Sequence, residues 1–469
     1  MLSPGQTELN KLPTGVTLVG GLWSPRLVFA STLFTTRLPP QFVVDSLFGS
    51  TRCDMAPYLT KLQKVGVALV LVCTSEEKKE KKKRIWMKRW LKERIKLSHL
   101  NLMNLLDFGD LRNFLRMEKE TFYELLEMVR PFITKKNTHL RKAVSAEERL
   151  LVTLRYLASG SCYRDLRYSS IISHELLSEI IPETCWAIYK VLKETIKLPS
   201  TEEEWKKTAE LFETQRNFNN CVGCMDGKHI LIVKPQGSGS IFFNYKGTFS
   251  VVLFAVVNAN YEFIYVHTGS NGSMSDGGII KNTKFYEKLV NNELHLPESY
   301  LLPGTGIPVP YVFLGDSAFA LDTHIMKPYS ERNISNEEKI FNYRLSRARR
   351  IVENAFGILA SRFKVFKQPI NLKLENVDAV VLSSCALQNF LRKKSKTYLT
   401  STCVDREDLE NGTLDYGTWR QARDELTPLQ RNIQRTSNDG KNVRNILKEY
   451  FNGEGRVYFQ NRMANINSV

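Results

Sequence analysis

Cysteine is scarce in this 469-residue chain, and the eight that occur are irregularly spaced. That excludes a disulfide framework and points to reduced thiols in an intracellular compartment. Long apolar runs are missing too: the longest, Val65 to Cys73, falls far short of the roughly 20 residues that a membrane-spanning helix needs. It also lies too deep in the chain, with its basic block after it rather than before, to act as a secretory signal. The sequence therefore reads as a soluble protein without a membrane partner. Acidic residues are in deficit, 49 Asp and Glu against 66 Lys and Arg, for a formal charge of +17 at pH 7. Such an excess suits a polyanion, either nucleic acid or an acidic membrane surface, and charge alone does not choose between them. Apolar residues, at 42% with 10% aromatic, are plentiful enough for real cores. A wholly disordered or fibrous chain is excluded, and the length fits about two to four domains.

The chain divides by texture. Residues 1–75 form a poorly structured extension, because Met1 to Lys64 carries scattered Pro, Gly and Thr without a sustained period of 3.6 or 2. Residues 76–200 combine a basic segment with a helical domain. Its opening, EEKKEKKKRIWMKRWLKERIK from Glu76 to Lys96, holds eleven Lys or Arg against four Glu. It reads as a nuclear-localisation or phosphate-contacting patch, or as a solvated helix face. Helical spacing follows at Phe122, Leu125, Leu126 and Val129, and Ser145-x-x-Glu148 is a capping box. The order helix, Gly-containing turn, short helix, turn and longer helix over LLVTLRYLASG, SCYRDLRYSS and ISHELLSEIIPETCWAIYKVLKE is the layout of a helix-turn-helix, with Arg155, Arg164 and Arg167 favouring DNA. Trp86, Trp90 and Trp186 sit among apolar helical positions and read as core.

After Asn217 short β-branched runs take over: CVGCMD, HILIVKP, FSVVLFAVVNA, FIYVHTG and YVFLGD. Helices are predicted at Gly278 to Leu294, Leu345 to Phe366 and Asn376 to Lys394. Residues 215–395 are thus a mixed α/β domain whose first strands are antiparallel and sequentially adjacent. Residues 396–469 read as a polar tail with one amphipathic piece near Asn442 to Phe451.

Four carboxylates stand out in the α/β part. Asp226 closes CVGCMD before a predicted Gly-Lys-His turn, Asp276 lies in SNGSMSDGG ahead of a helix, and Asp316 ends YVFLGD. Glu353 falls on a helix beside the stripe Leu345, Val352, Phe356 and Leu359, so it can face a sheet edge. Strand ends and adjoining loops are where a rigid sheet presents ligands, and two Mg²⁺ ions need several hard oxygens converging from different elements. Each acid also has an ordinary reading, as a turn residue for Asp226, a helix cap for Asp276, or a salt bridge from Glu353 to Arg349 or Arg350. From Phe341 to Lys367 seven bases accompany that one glutamate, a charge placement that suits phosphate neutralisation around a metal-holding acid. Lys228, His229, Arg344, Arg347, Arg349, Arg350 and Arg362 are therefore the candidate nucleic-acid contacts. Cys221-x-x-Cys224 has no second Cys/His pair at zinc spacing and reads as buried thiols on a core strand. No GxSxG nucleophile elbow occurs, and GCMDGKH is too short for a P-loop.

DGKHI at 226–230, FFNYKGTFSVVLFAVVNAN at 242–260, GSNGSMSDGGI at 269–279, PYVFLGDSAFAL at 310–321 and FNYRLSRARRIVENAFGILASRFKVF at 341–366 together resemble the PIF/Harbinger transposase family and its HARBI-type nuclease relatives. FLRMEKETFYELLEMVRPFITKK and ERLLVTLRYLASG resemble that family's helical N-terminal domain. The resemblance implies an RNase H-like DDE catalytic core, with Asp226, Asp316 and Glu353 catalytic and Asp226, Asp276, Asp316 and Glu353 holding Mg²⁺ or Mn²⁺. It implies DNA as substrate, a Myb/SANT-like DNA-binding protein as partner, a homo-oligomer as a compatible state, and a place in the nucleus and cytoplasm. The competing expectation is a catalytically silent, domesticated transposase that binds DNA or a partner protein.

Overall fold

Apolar residues at helical spacing build the N-terminal part of the structure, a computed structural model that describes residues 87–466 except 140, 275, 396–397, 422–425 and 431–435, together with residues 60 and 66. The expectations for residues 1–75, most of the Glu76–Lys96 block and Trp86 lie outside the described residues. The helices are α1 (His99–Leu105), α2 (Phe108–Leu115), α3 (Lys119–Ile133), α4 (Ala146–Ser159), α5 (Tyr163–Ser170), α6 (His174–Leu192) and α7 (Glu202–Arg216). The Ser145 hydroxyl accepts from the Glu148 amide and Glu148 accepts from the Ser145 amide, both at 3.1 Å, so the predicted capping box starts α4. Gly160 ends that helix at φ 67°. A Cβ there would stand 2.6 Å from the Lys364 carbonyl oxygen, which only glycine tolerates. Trp186 does not reach the core: it is 40% exposed, on the outward face of α6. Trp90 is half-buried, its ring 5.6 Å from that of Tyr168.

A mixed sheet follows, from β1 (Cys221–Leu231), β2 (Ser250–Val257) and β3 (Phe263–Asn271). The helical prediction at Gly278 to Leu294 resolves into α8 (Asp276–Lys281) and α9 (Lys284–Val290), divided where Thr283 caps the second. A small hairpin, β4 (Tyr300–Leu301) and β5 (Pro308–Val309), precedes β6 (Val312–Leu314) and β7 (Ile325–Met326). The order across the main sheet is β3-β2-β1-β6-β7, antiparallel on the β3-β2-β1 side and parallel from β1 through β6 to β7. Along β2, Val251, Leu253, Ala255 and Val257 join one apolar cluster while Val252, Phe254 and Val256 join another, so both faces of the sheet are buried.

The first face is covered by α10 (Asn336–Arg362) and α11 (Leu374–Lys394), and its apolar cluster runs on without a break into α3, α4 and α6. Residues Met87–Val469 accordingly cluster as one compact unit. The polar C-terminal segment belongs to this unit: β8 (Arg406–Asp408), β9 (Thr413–Asp415), α12 (Thr418–Gln421), β10 (Thr427–Pro428), α13 (Asn438–Asn452) and α14 (Gln460–Met463) follow one another. Phe451 of α13 packs 5.0 Å from Phe218 and stacks on Phe341 of α10. The segment read as a tail thus helps to close the core. No helix among the described residues is long and apolar enough to cross a membrane.

Candidate active site

The sequence gives Asp226 a turn, and the structure gives it the middle of a strand. β1 continues through Asp226-Gly-Lys-His because β2 pairs with it residue by residue from Cys224 to Leu231. On its other edge β1 changes partner. It runs parallel to β6 as far as Cys224 opposite Leu314, and is joined by β10 at Lys228 opposite Pro428 and His229 opposite Thr427. Asp226 lies at the parting between them. Asp226 lies two residues past the last β1–β6 pair, Cys224 opposite Leu314, and Asp316 two residues past the end of β6. The Cys224 thiol contacts the Ala348 carbonyl at 3.3 Å, so the face of β1 that carries Cys224 and, by alternation, Asp226 looks onto α10. A register shift between Cys221 and Gly223 brings both cysteines into the same apolar cluster. They are buried thiols on a core strand, and burial raises that of Cys221 well above its ordinary pKa.

Arginine 349 stands among the acids. Its guanidinium lies 3.8 Å from Asp226 and 3.7 Å from Glu353, one helical turn further along α10. Burial opposes the charge on Arg349, yet Asp226, then Glu353, then Asp316 raise its pKa; the first two stand at ion-pair distance. Lys228 Nζ is 2.9 Å from Asp226 Oδ2. That oxygen is buried and accepts no hydrogen bond of proper direction, so the pairing is Coulombic and one lone-pair direction stays unused. Asp316, half-buried, accepts from the Ala318 amide at 2.9 Å. Asp276 begins α8; its side chain is outside the described residues.

Three further charged residues arrive from the C-terminal segment, and no sequence signal announced them. Arg420 Nη2 donates to Glu353 Oε2 at 2.8 Å while its Nε reaches Asp405 at 3.0 Å, and its guanidinium covers the Trp419 ring at 4.3 Å. Glu407 takes Arg347 at 2.6 Å and Arg350 at 2.9 Å. The basic helix is therefore largely neutralised from within, which corrects three of the expected nucleic-acid contacts. Arg347 and Arg350 are paired with Glu407. Arg344 is 1% exposed and donates to the Asn217 carbonyl at 3.0 Å and to Gln460 at 3.0 Å. His229, a fourth, is 1% exposed with its Nδ1 2.8 Å from the Ser250 hydroxyl, and burial lowers its pKa to about 4. It faces the core because the strand continues where a turn was expected. Lys228 and Arg349 remain at the acids, and Arg362 lies at the far end of α10.

Among the described residues no group of three or more His, Cys, Asp or Glu side chains is already arranged around a metal position. The donors at hand are nonetheless hard carboxylate oxygens, with the buried Asp226 Oδ2 lacking a hydrogen bond. Such oxygens suit Mg²⁺ or Mn²⁺ and not softer ions.

Comparison with known proteins bears on the family of this stretch of chain. Residues 225–389 match the DDE superfamily endonuclease family, a stretch that contains Asp226, Asp276, Asp316 and Glu353 and stops short of Asp405, Glu407 and Arg420. The chain is similar to "Protein ALP1-like" of Arabidopsis thaliana, 25% identical over 287 residues that cover 59% of this chain and 69% of the relative. It is similar to "Putative nuclease HARBI1" of Rattus norvegicus, 22% identical over 274 residues, and of Homo sapiens, 23% identical over 274 residues, in each case 58% of this chain and 74% of the relative. No solved structure matches.

Proposed function

We propose that the chain is a divalent-metal-dependent DNA endonuclease of transposase origin, from the premise that its residues 225–389 match the DDE superfamily endonuclease family and that its similar proteins are Harbinger transposase-derived. The observation that carries this reading is Arg349, whose guanidinium lies 3.8 Å from Asp226 of β1 and 3.7 Å from Glu353 of α10, so that acids from two elements meet at one cation. We read the sheet order, three antiparallel strands followed by two parallel to the first, as RNase H-like. Asp226 and Asp316 are the pair that would hold a cation between adjacent strands, Glu353 is the helix-borne third acid, and Asp276 is a further ligand. When bound, paired Mg²⁺ or Mn²⁺ ions supply an activated water or 3′ hydroxyl and charge stabilisation at the leaving oxygen.

The chain's own residues set the conditions for that chemistry. Lys228 and Arg349 lie against the Asp226 carboxyl at 2.9 and 3.8 Å, and Arg420 fixes the direction of Glu353 through a hydrogen bond braced by Asp405. The α4-α5-α6 unit serves as the helix-turn-helix that engages DNA. Incubation of the full chain with supercoiled DNA and Mg²⁺ or Mn²⁺ tests the reading: wild type cuts and Asp316→Asn does not. Equal residual cleavage by both would defeat the carboxylate assignment.

One observation favours a second reading. Glu353 is held by two guanidiniums, Arg349 at 3.7 Å and Arg420 at 2.8 Å, which suits a catalytically silent DNA- or partner-binding protein. DNA binding without cleavage in either metal would select it. For cellular placement we propose the nucleus, with import through the Glu76–Lys96 basic block or through a Myb/SANT-like partner. A protein expressed alone that stays fully nuclear after the block is neutralised would refute that route.

A further inference from the structure

Away from the carboxylates, three arginines converge where the helical part meets the end of α10. Arg155 of α4 donates to the Phe114 carbonyl at 3.3 Å and covers the Phe114 ring at 4.6 Å, which ties it to the end of α2. Arg116 closes α2 in the left-handed conformation, φ 64°. Arg362 ends α10, donating to the Tyr398 carbonyl at 2.8 Å with its guanidinium 5.0 Å from that ring. The close approach of Gly160 to the Lys364 carbonyl locks α4 against the turn that follows Arg362.

Uncompensated charge is what these three share. All are half-buried, and none forms an ion pair with a carboxylate among the described residues. The Arg116 Nε is buried without a hydrogen-bond partner. Burial, then Arg362, then Arg155 lower the Arg116 pKa, while His99, whose ring stands 5.5 Å from Phe114, is pushed down to about 4 by burial and then by Arg155. The carbonyl ends of α2 and α10 attract cations, which accounts for Arg116 and Arg362 each alone. It does not account for their being brought together with a third. Cations held in mutual repulsion, with the buried Arg116 Nε–H left over, lack an anion with several acceptor oxygens, and guanidinium forks match phosphate in that respect.

We propose that Arg116, Arg155 and Arg362 form a phosphate site that grips the DNA backbone to one side of the cleavage position. Arg362 lies nine residues, roughly 14 Å along α10, beyond Glu353, so the site anchors flanking duplex rather than the scissile phosphate. This assignment rests on DNA being the substrate, as proposed above. Full-length protein is titrated with a labelled duplex in EDTA over a range of NaCl, comparing wild type with the Arg116→Gln/Arg155→Gln/Arg362→Gln variant. The variant is expected to bind about tenfold more weakly at 0.1 M salt, with a log K against log salt slope shallower by about one to two. Cleavage of supercoiled DNA by wild type in Mg²⁺ or Mn²⁺ is read beside it, so that the site and the nuclease reading are judged separately.

Equal affinity and slope for both proteins overturn the site and leave the nuclease reading standing. A protein that loses affinity in the variant yet cuts nothing upholds the site and fails the nuclease reading. Inorganic phosphate separates the sources: if it raises the melting temperature of wild type and not of the variant while duplex affinity is equal, the site takes free phosphate and the DNA assignment falls. Should the triple variant not fold, Arg116→Gln alone, which relieves repulsion and is expected to melt no lower than wild type, repeats the test. Its slope should fall by about one, and an unchanged slope overturns the site.

Discussion

Arg349 shows how a single side chain can balance the charge of two neighbouring acids. With Asp226 at 3.8 Å and Glu353 at 3.7 Å, its removal leaves acids facing one another in a largely buried place, a loss of about 3 kcal/mol. Arg349→Gln should therefore melt lower than wild type, and Mn²⁺ or Mg²⁺ should restore it by more than the same ion raises wild type; no difference in metal response would show that the cation does not share its place with the acids. His229 gives a pH signature. Its folded pKa of about 4 lies below the unfolded value near 6.5, so the unfolded chain takes up the proton first and stability falls as pH drops through 6.5 toward 4. The cost is on the order of 2 kcal/mol at the acid end. His229→Asn, which keeps an amide beside the Ser250 hydroxyl, should flatten that part of the urea-midpoint profile.

Elements were read with uneven success, and the reasons are local against distant. The capping box of α4 and the helix–turn–helix–turn–helix order depend on neighbours in sequence and were legible. The Asp226-Gly227 dipeptide is a strong turn signal, overridden because both edges of β1 there find partners, β2 on one side and β10 on the other. The start of α10 was missed by nine residues although Ser335-x-x-Glu338 forms a second capping box. Asp316 and Glu353 stand out as candidates because a strand end and a lone helix acid are visible in one dimension, whereas Asp226 stands out by a strand end that the structure replaces with a continuous strand. Arg420, Asp405 and Glu407 could not, since their partners on α10 lie 51 to 67 residues away. That docking has its own test. A Cβ on Gly357 of α10 would enter the Trp419 ring, whose Nε1 donates to Asn354 at 2.8 Å. Gly357→Ala should expel the indole at about 3 kcal/mol, red-shifting tryptophan emission and slackening Arg420; unchanged emission would argue that the segment docks differently.

At the scale of the molecule, one apolar cluster extends from Met103 in the helical part through the sheet to Phe451 near the C-terminus. The helical and α/β parts, which the sequence separates by texture, thus share a core, and residues 87–469 should melt in a single transition seen alike by far-ultraviolet circular dichroism and tryptophan emission. Two resolved transitions would mean the parts are energetically independent. The parallel neighbours β1 and β6 have a consequence in time. Eighty residues, 232 to 311, intervene between them, and a ladder closed across so long a loop forms late. A chain emerging from the ribosome carries Asp226 long before Asp316 and Glu353 are synthesised, and Arg420 later still. On the function proposed above, a half-made copy lacks Glu353 and its neighbours, and the site would assemble only after α10 and the segment that braces it have been made.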